Sequence, residues 1–383
     1  MNREESSKDI KFSFVDEEYR GPLIKVIGVG GGGGNAVNNL IEEGIEGVEL
    51  IGINTDSQDL SECKAPIKYQ IGKKITRGLG AGSDPEIGRK AAEEDTDRLT
   101  ELIAGADLVF VTACLGGGTG SGAAPYIANL STQMEILTIS IVIKPLETEG
   151  IEKAKIAEKA LRELKESSDI LIPISNQNLV DVCNEKENLT VEEAFKLADD
   201  VLMQAVNGIS EIMRKKGRIN LDFADLKTIV KKRGIGLISK GFGSGERRVE
   251  LAVESALKNP MLEDITINGA KSLLLNIKGG KNLSFQEMNY AAKLIRDYAD
   301  PNAFFIFGLM IDEKLEDEVV ILVIAAGFDP VMEERILVQS LNFERTQHPF
   351  FIHPSVVSST PNYLTTPSDL ANMNTPSYRR KPK

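Results

Sequence analysis

The chain has no tryptophan, only two histidines and only three cysteines in 383 residues. Both histidines, His348 and His353, fall near the C-terminus. An enzyme built on the rest of the chain has no imidazole base and must use carboxylates or metal-bound water. Cys63, Cys114 and Cys183 are scattered without metal-site spacing, which points to a reducing compartment. No apolar run approaches the roughly 20 residues of a membrane span, so direct membrane insertion is not expected. The opening Met1-Asn2-Arg3-Glu4-Glu5-Ser6 has no apolar stretch of the signal-peptide kind, and the expected location is cytoplasmic. Positive charge is also short. A net charge of −12 argues against nucleic-acid partners and must be overcome by any self-assembly. Absent too is the Gly-x-x-x-x-Gly-Lys-Ser/Thr loop of common NTPases.

What the chain does have is glycine in runs. The apolar stretch Ile24–Val29 leads into Gly30-Gly31-Gly32-Gly33-Gly34-Asn35. Leu108–Val111 leads into Gly116-Gly117-Gly118-Thr119-Gly120-Ser121-Gly122. Each reads as strand, loop, helix. Glycine lets backbone N–H groups crowd an anion, and a helix N-terminus adds a favourable dipole. The first loop alone also fits a dinucleotide fold, with Asp56 at the distance of a ribose-binding acid. A dinucleotide fold has no use for the second loop, and tight turns explain one or two glycines per loop rather than these runs. With no lysine in either run, phosphate charge falls to backbone N–H groups, Thr119 and a metal ion.

Strands are expected at 23–29, 48–54, 107–112, 136–143 and 170–174, Val/Ile/Leu-rich as in a parallel sheet buried on both faces. Thr190 with Glu193 forms a capping-box signature for a long helix. Behind it Val191, Phe195, Ala198, Leu202, Ala205, Ile209 and Ile212 recur at helical spacing, and the helix is expected to end near Gly217. Further strands are expected at 233–239, 271–277, 304–309 and 318–326, with helices at 246–258 and 284–298. The domains then read as a flexible extension (1–20), a nucleotide-binding α/β domain (21–190), a central helix (191–217), a smaller α/β domain (218–328) and a linker with a terminal peptide (329–383). Asn220-Leu221-Asp222-Phe223-Ala224-Asp225 opens the smaller domain. Asp222 and Asp225 share a face if a helix starts there, and helix capping alone accounts for them adequately.

Together these residues resemble the FtsZ family, the prokaryotic relatives of tubulin. The likeness spans about 21–328. It rests on Gly-Gly-Gly-Thr-Gly-Ser-Gly, on Thr-Arg-Gly-Leu-Gly-Ala-Gly at 76–82, and on the Asn-Leu-Asp-Phe-Ala-Asp run. The resemblance implies a tubulin/FtsZ-like α/β fold and a GTPase that polymerises head to tail into the filaments of a mid-cell division ring. It implies that Gly31, Gly32, Gly33, Gly34 and Asn35, with Gly116 to Gly122, hold the phosphates of GTP or GDP. Asn54, Thr55, Asp56, Ala81 and Gly82 would line the phosphate side. Glu149 would meet the ribose, Lys153 would stand where the family usually has arginine, Asn176 and Asp200 would read guanine, and Phe195 would stack on it. Magnesium is expected on the phosphates rather than on protein ligands, with potassium as a further ion. Asn220, Asp222 and Asp225 would enter the next copy's site and position the attacking water. The family usually has proline at Ser175, asparagine at Asp199 and Gly-Asn at Ser83-Asp84. Residues 374–383 resemble the family's terminal peptide, which binds membrane-tethering division proteins, but lack an aliphatic residue between Tyr378 and Arg379. The rivals are a dinucleotide-dependent enzyme, a nucleotide-binding filament protein with little hydrolysis, and a tubulin-like GTPase for cell shape or membrane remodelling.

Overall fold

Valine, isoleucine and leucine dominate the first six strands: β1 (Ile24–Val29), β2 (Val48–Asn54), β3 (Ile67–Gln70), β4 (Leu108–Cys114), β5 (Leu137–Lys144) and β6 (Ile170–Ser175). Every residue of β1, β5 and β6 is buried, as expected of strands covered on both faces. The computed structural model describes residues 21–176, 190–214, 217–219, 221–231, 234–257 and 267–338. The terminal segments, Cys183 and both histidines lie outside them.

Four more strands, β7 (Gly234–Ser244), β8 (Ser272–Gly279), β9 (Phe304–Ile311) and β10 (Glu318–Ala326), complete a ten-stranded sheet of order β3-β2-β1-β4-β5-β6-β7-β10-β8-β9. From β3 to β7 neighbours are parallel; β10 runs antiparallel between β7 and β8. The two groups of strands expected from the sequence thus share one sheet. Their junction is narrow: β6 and β7 pair only at Ile170–Gly234 and Leu171–Ile235. After β1 the chain moves outward to β2 and β3, then returns to β4 on the other side of β1. That reversal is a topological switch point, where the loops at two neighbouring carboxyl ends diverge and leave a crevice.

Helices cover both faces. One core layer takes in α1 (Gly30–Glu42), α8 (Val191–Arg214) and α9 (Phe223–Val230). The other takes in α4 (Pro85–Glu94), α5 (Thr96–Ile103), α6 (Gly118–Gln133), α7 (Ile151–Ser167), α10 (Arg248–Leu257) and α11 (Phe285–Tyr298). Short α2 (Ser57–Glu62) and α3 (Lys73–Thr76) follow β2 and β3, and α12 (Pro330–Val338) follows β10. At the start of α8 the expected capping box is present. Glu193 N donates to Thr190 Oγ1 at 3.2 Å and Thr190 N to Glu193 Oε2 at 2.8 Å, which also holds the Glu193 carboxyl below its ordinary range.

The two ends of α8 reach opposite ends of the sheet. Asp199 bonds to α1, whereas Arg214 lies against Gly47, just before the amino end of β2. The path between Asp199 and Arg214 is roughly 22 Å of helix at 1.5 Å per residue. The chain therefore leaves α8 at the amino ends of the strands. There α9 begins, and its Lys227 and Lys231 share a cavity with Leu137, Ser168 and Asp169, at the amino ends of β5 and β6.

Candidate nucleotide site

The first glycine run divides by direction. A Cβ on Gly32 would overlap the Cys114 sulfur, and one on Gly33 would overlap the Thr112 carbonyl. These two let α1 lie directly on β4. Gly31 and Gly34 meet only the far end of Asp59 and, at 3.9 Å, the Cys63 sulfur, so their backbone faces outward. Gly30 takes a left-handed φ of 74° and starts α1 at once. The first-turn N–H groups of α1 have no partner within the helix and form an anion site.

The second run divides in the same way. Gly118, Gly120 and Gly122 are pinned against Ala81 and Asp84, the Cys114 carbonyl, and the Pro85 carbonyl. Ser121 is buried, and its Oγ accepts from Gly116 N at 2.9 Å. Close packing thus accounts for more of the glycines than the sequence suggested. Gly117 has nothing within 4 Å of a built Cβ, so α6 offers its N-terminal groups there. The two runs touch at Gly30, whose built Cβ would stand 3.2 Å from Gly120 N.

A third loop closes the cradle. Thr55 Oγ1 and Thr119 Oγ1 are 2.6 Å apart. The Thr55 carbonyl accepts from Thr76 Oγ1 at 3.2 Å, and Asn54 Oδ1 from Asp56 N at 3.2 Å. Asp56 caps α2, accepting from Gln58 N and Asp59 N, and bridges to Leu79. Arg77, Gly78, Gly80, Gly82 and Ser83 all take left-handed φ values. This winding leaves Gly82 open and Leu79 82% exposed. Asn54, Thr55 and Asp56 therefore tie three loops together, and the Oδ1 of Asp56 is committed to its cap.

On the sugar and base side, Glu149 ends a 3₁₀ turn, Glu147–Glu149, and accepts from Leu146 N at 2.9 Å and Lys153 Nζ at 2.8 Å. Asn176 follows β6; it is 8% exposed, and among the described residues its Oδ1 has no hydrogen-bond partner. A buried acceptor left unpaired costs about 1–3 kcal/mol, which a ligand donor would recover. Ser175 Oγ beside it is in the same position. Phe195 lies on α8, its side chain outside the described residues.

Two adjacent aspartates on α8 go separate ways. Asp199 Oδ2 accepts from Asn39 Nδ2 at 2.5 Å. Burial raises its carboxyl to about 6, against the Asn39 bond and with help from Asp200. Cys114, at the end of β4, is pushed up to about 12 by burial and then by Asp199 and Glu149. Asp199 therefore shares its surroundings with the glycine loops and Glu149. Asp200 instead lines a groove with Glu43, Met203, Lys240 and Leu322. Successive helical residues point about 100° apart, so the two carboxylates meet different surroundings. The family resemblance names Asp200 as the base contact; the structure sets Asp199 against Asn39 of α1 and Asp200 in the groove.

The acid loop lies elsewhere. Asp222 caps α9: its Oδ1 accepts from Asp225 N at 2.7 Å, and Asp225 Oδ2 accepts from Asp222 N at 3.1 Å. The capping reading is therefore correct, and Asp222 Oδ2 and Asp225 Oδ1 remain outside the box. Asn220 is outside the described residues. Ile219 pairs with Leu309 on β9 and fixes the approach. Since α8 carries the chain to the amino ends of the strands, the acids and the glycine loops sit at opposite ends of the molecule. Among the described residues no group of three or more His, Cys, Asp or Glu is placed to hold a metal ion. No described helix is long and apolar enough to cross a membrane.

Comparisons with known proteins identify the fold and the family. The model of the Tubulin/FtsZ family, GTPase domain, matches residues 23–184, and that of the FtsZ family, C-terminal domain, matches 234–329. The cell division protein FtsZ of Pseudomonas aeruginosa is 43% identical over 327 residues, 85% of this chain and 82% of its own length. An empty FtsZ dimer from M. jannaschii superposes with a TM-score of 0.72 at 40% identity, covering 80% of this chain and 88% of its own. GDP-bound CetZ1 from Haloferax volcanii has a TM-score of 0.70 at 22% identity, covering 83% and 98%, a likeness of fold.

Proposed function

Because the chain belongs to the FtsZ family and carries its GTPase domain, we propose that it binds GTP in the three-loop cradle and polymerises head to tail. Hydrolysis then occurs where the acid loop of one copy enters the cradle of the next. The observation that carries this reading is the placement of acids and glycine loops at opposite ends of one chain. Neither end is a complete hydrolytic site by itself.

The outward backbone of Gly31, Gly34 and Gly117, the first turns of α1 and α6, and Thr119 hold the phosphates. Thr55, Asn54 and Asp56 hold the loops that hold the phosphates. Glu149 meets the ribose. Lys153 steadies Glu149, because its amine is already bonded there. Asn176 and Asp199 read the base. A carboxylate accepts from N1–H and the 2-amino group of guanine, while adenine has no N1 donor, and the unpaired acceptor disfavours ATP. This places the base contact one residue earlier than the family resemblance did. A magnesium ion on the phosphates, with potassium nearby, would neutralise charge that the cradle meets only with amides and hydroxyls. At the contact, Asp222 Oδ2 and Asp225 Oδ1 orient the water that attacks the γ-phosphate.

The polymer serves cell division, tethered to the membrane at mid-cell through residues 374–383. Removing 374–383 is expected to spare polymerisation and abolish ring attachment in cells; normal rings would remove that role. The main test is GTP hydrolysis rate against protein concentration. A threshold followed by a linear rise is expected. A rate proportional to concentration from zero would mean a complete site in one chain and would defeat the shared-site reading.

A further inference from the structure

We infer that Asn39, on α1, is a positioning residue for base recognition: its amide holds the Asp199 carboxylate toward the nucleotide. This rests on the reading that Asp199 meets the base. Asn39 is four residues beyond Asn35, on the same face of α1. That face runs from the glycine loop to α8. The Asn39 Nδ2 to Asp199 Oδ2 bond, at 2.5 Å, joins the two helices across the side of the site.

The chemistry of the partner is the informative part. A lysine or arginine here would neutralise the carboxylate and compete with guanine for it. A neutral amide engages one oxygen and leaves the charge in place. The other oxygen, Oδ1, makes no hydrogen bond to the described residues and can accept from N1–H or the 2-amino group. Among the described residues no positive charge acts on Asp199 to take over this role. Asp200 on its own helix and Asn39 on α1 act on it directly, and it shares Cys114 on β4 with Glu149 of the 3₁₀ turn. Among the described residues Asn39 supplies the side-chain bond that holds this carboxylate. Without it the carboxylate can turn to solvent or take up a proton, and either removes the base-reading acceptor. Asn39 touches neither phosphate nor attacking water, so its effect should fall on base affinity.

The full-length chain is tested with GTP, ITP (which lacks the 2-amino group) and ATP. In Asn39→Ala, GTP affinity is expected to fall roughly tenfold and the GTP-over-ITP preference to shrink by a similar factor, the loss appearing in KM far more than in kcat. Asn39→Asp sets two carboxylates face to face. It should lose more affinity at pH 8 and recover part of it below pH 6, a reversal that simple loss of packing would not give. Asn39→Gln should restore part of the preference. If Asn39→Ala and Asn39→Asp both keep GTP affinity and the GTP-over-ITP ratio within twofold while Asp199→Ala loses both, the positioning role is wrong and base reading by Asp199 survives. If Asp199→Ala also keeps both, the base reading itself is wrong.

Discussion

Two pairs of aspartates, Asp199–Asp200 and Asp222–Asp225, show how spacing sets what a pair can do. Neighbours on a helix diverge, so Asp199 turns to Asn39 on α1 and Asp200 to a groove with Lys240 and Leu322. Residues three apart at a helix start converge, so Asp222 and Asp225 bind each other's backbone N–H and act as one unit. The first pair is buried enough to shift the Asp199 proton equilibrium. The second stands at an exposed helix N-terminus. The proposed reading gives Asp199 of the first pair to a base and two oxygens of the second pair to a water.

The largest expected effect separates capping from catalysis in the second pair. Asparagine caps a helix as well as aspartate, so Asp222→Asn and Asp225→Asn should melt close to the parent temperature. GTP hydrolysis should nevertheless fall about 100-fold or more at unchanged GTP binding. On the proposed shared site, either variant mixed with wild type should depress the wild-type rate; strictly additive rates would count against sharing.

A carboxylate of opposite character sharpens the contrast. Glu287 is held down to about 2, chiefly by its bond to Arg248, whose guanidinium is buried and also reaches Asn282. Its contribution is full above pH 4.5 and is lost as the pH falls from there toward 2. Asp199 runs the other way. Its folded value of about 6 stands above the ordinary 3.8, so nucleotide-free stability falls as pH rises from 3.8 to about 6. Glu287→Gln should cost about 3 kcal/mol, because Arg248 stays buried without its partner. Denaturant titrations at pH 7 and pH 3 should show the penalty shrinking at the lower pH.

The first pair is broken by single substitutions. Asp199→Ala should weaken GTP binding roughly 30-fold, and Asp200→Ala by less than twofold, measured by equilibrium titration at pH 7.5. In the parent chain affinity should decline as the pH drops below about 6, where Asp199 takes up its proton; in Asp199→Ala that decline should be absent. Equal losses at the two positions would refute the assignment.

The smallest effect concerns a third capping aspartate. Asp84 caps α4, accepting from Glu86 N at 2.9 Å, but it follows Ser83, a non-glycine residue with φ of 62°. Ser83→Gly relieves that strain and adds unfolded-state entropy, for a net gain of about 0.5 kcal/mol by thermal unfolding. Destabilisation instead would mean that the serine side chain compensates for its backbone.

Much of this was legible in the sequence. Apolar runs located nine of the ten strands, Thr190 with Glu193 marked the start of α8, and Asp222 marked a helix N-cap. The missed strand, β3, is four residues long, lies on the sheet edge and has no buried residue to announce it. That β7 continues the same sheet depends on two residue pairs, which no periodicity encodes. The glycine runs were visible, but not which glycines pack and which face a ligand. That depends on neighbours such as Cys114 and Pro85, distant in the chain. Choosing between Asp199 and Asp200 requires knowing what lies beside α8: the apolar spacing puts Asp199 on the flank of the stripe and Asp200 opposite it, but does not say which side meets the glycine loops.

On the proposed shared site, with acids at one end and cradle at the other, a row of stacked copies would hold one fewer working site than it has members, and a solitary member none. At one extremity a filled cradle would have no acids facing it, so its nucleotide would stay whole. At the other, the acids would face solvent with nothing to act on. The two extremities would then be chemically unlike, and the intact nucleotide would mark which one is which.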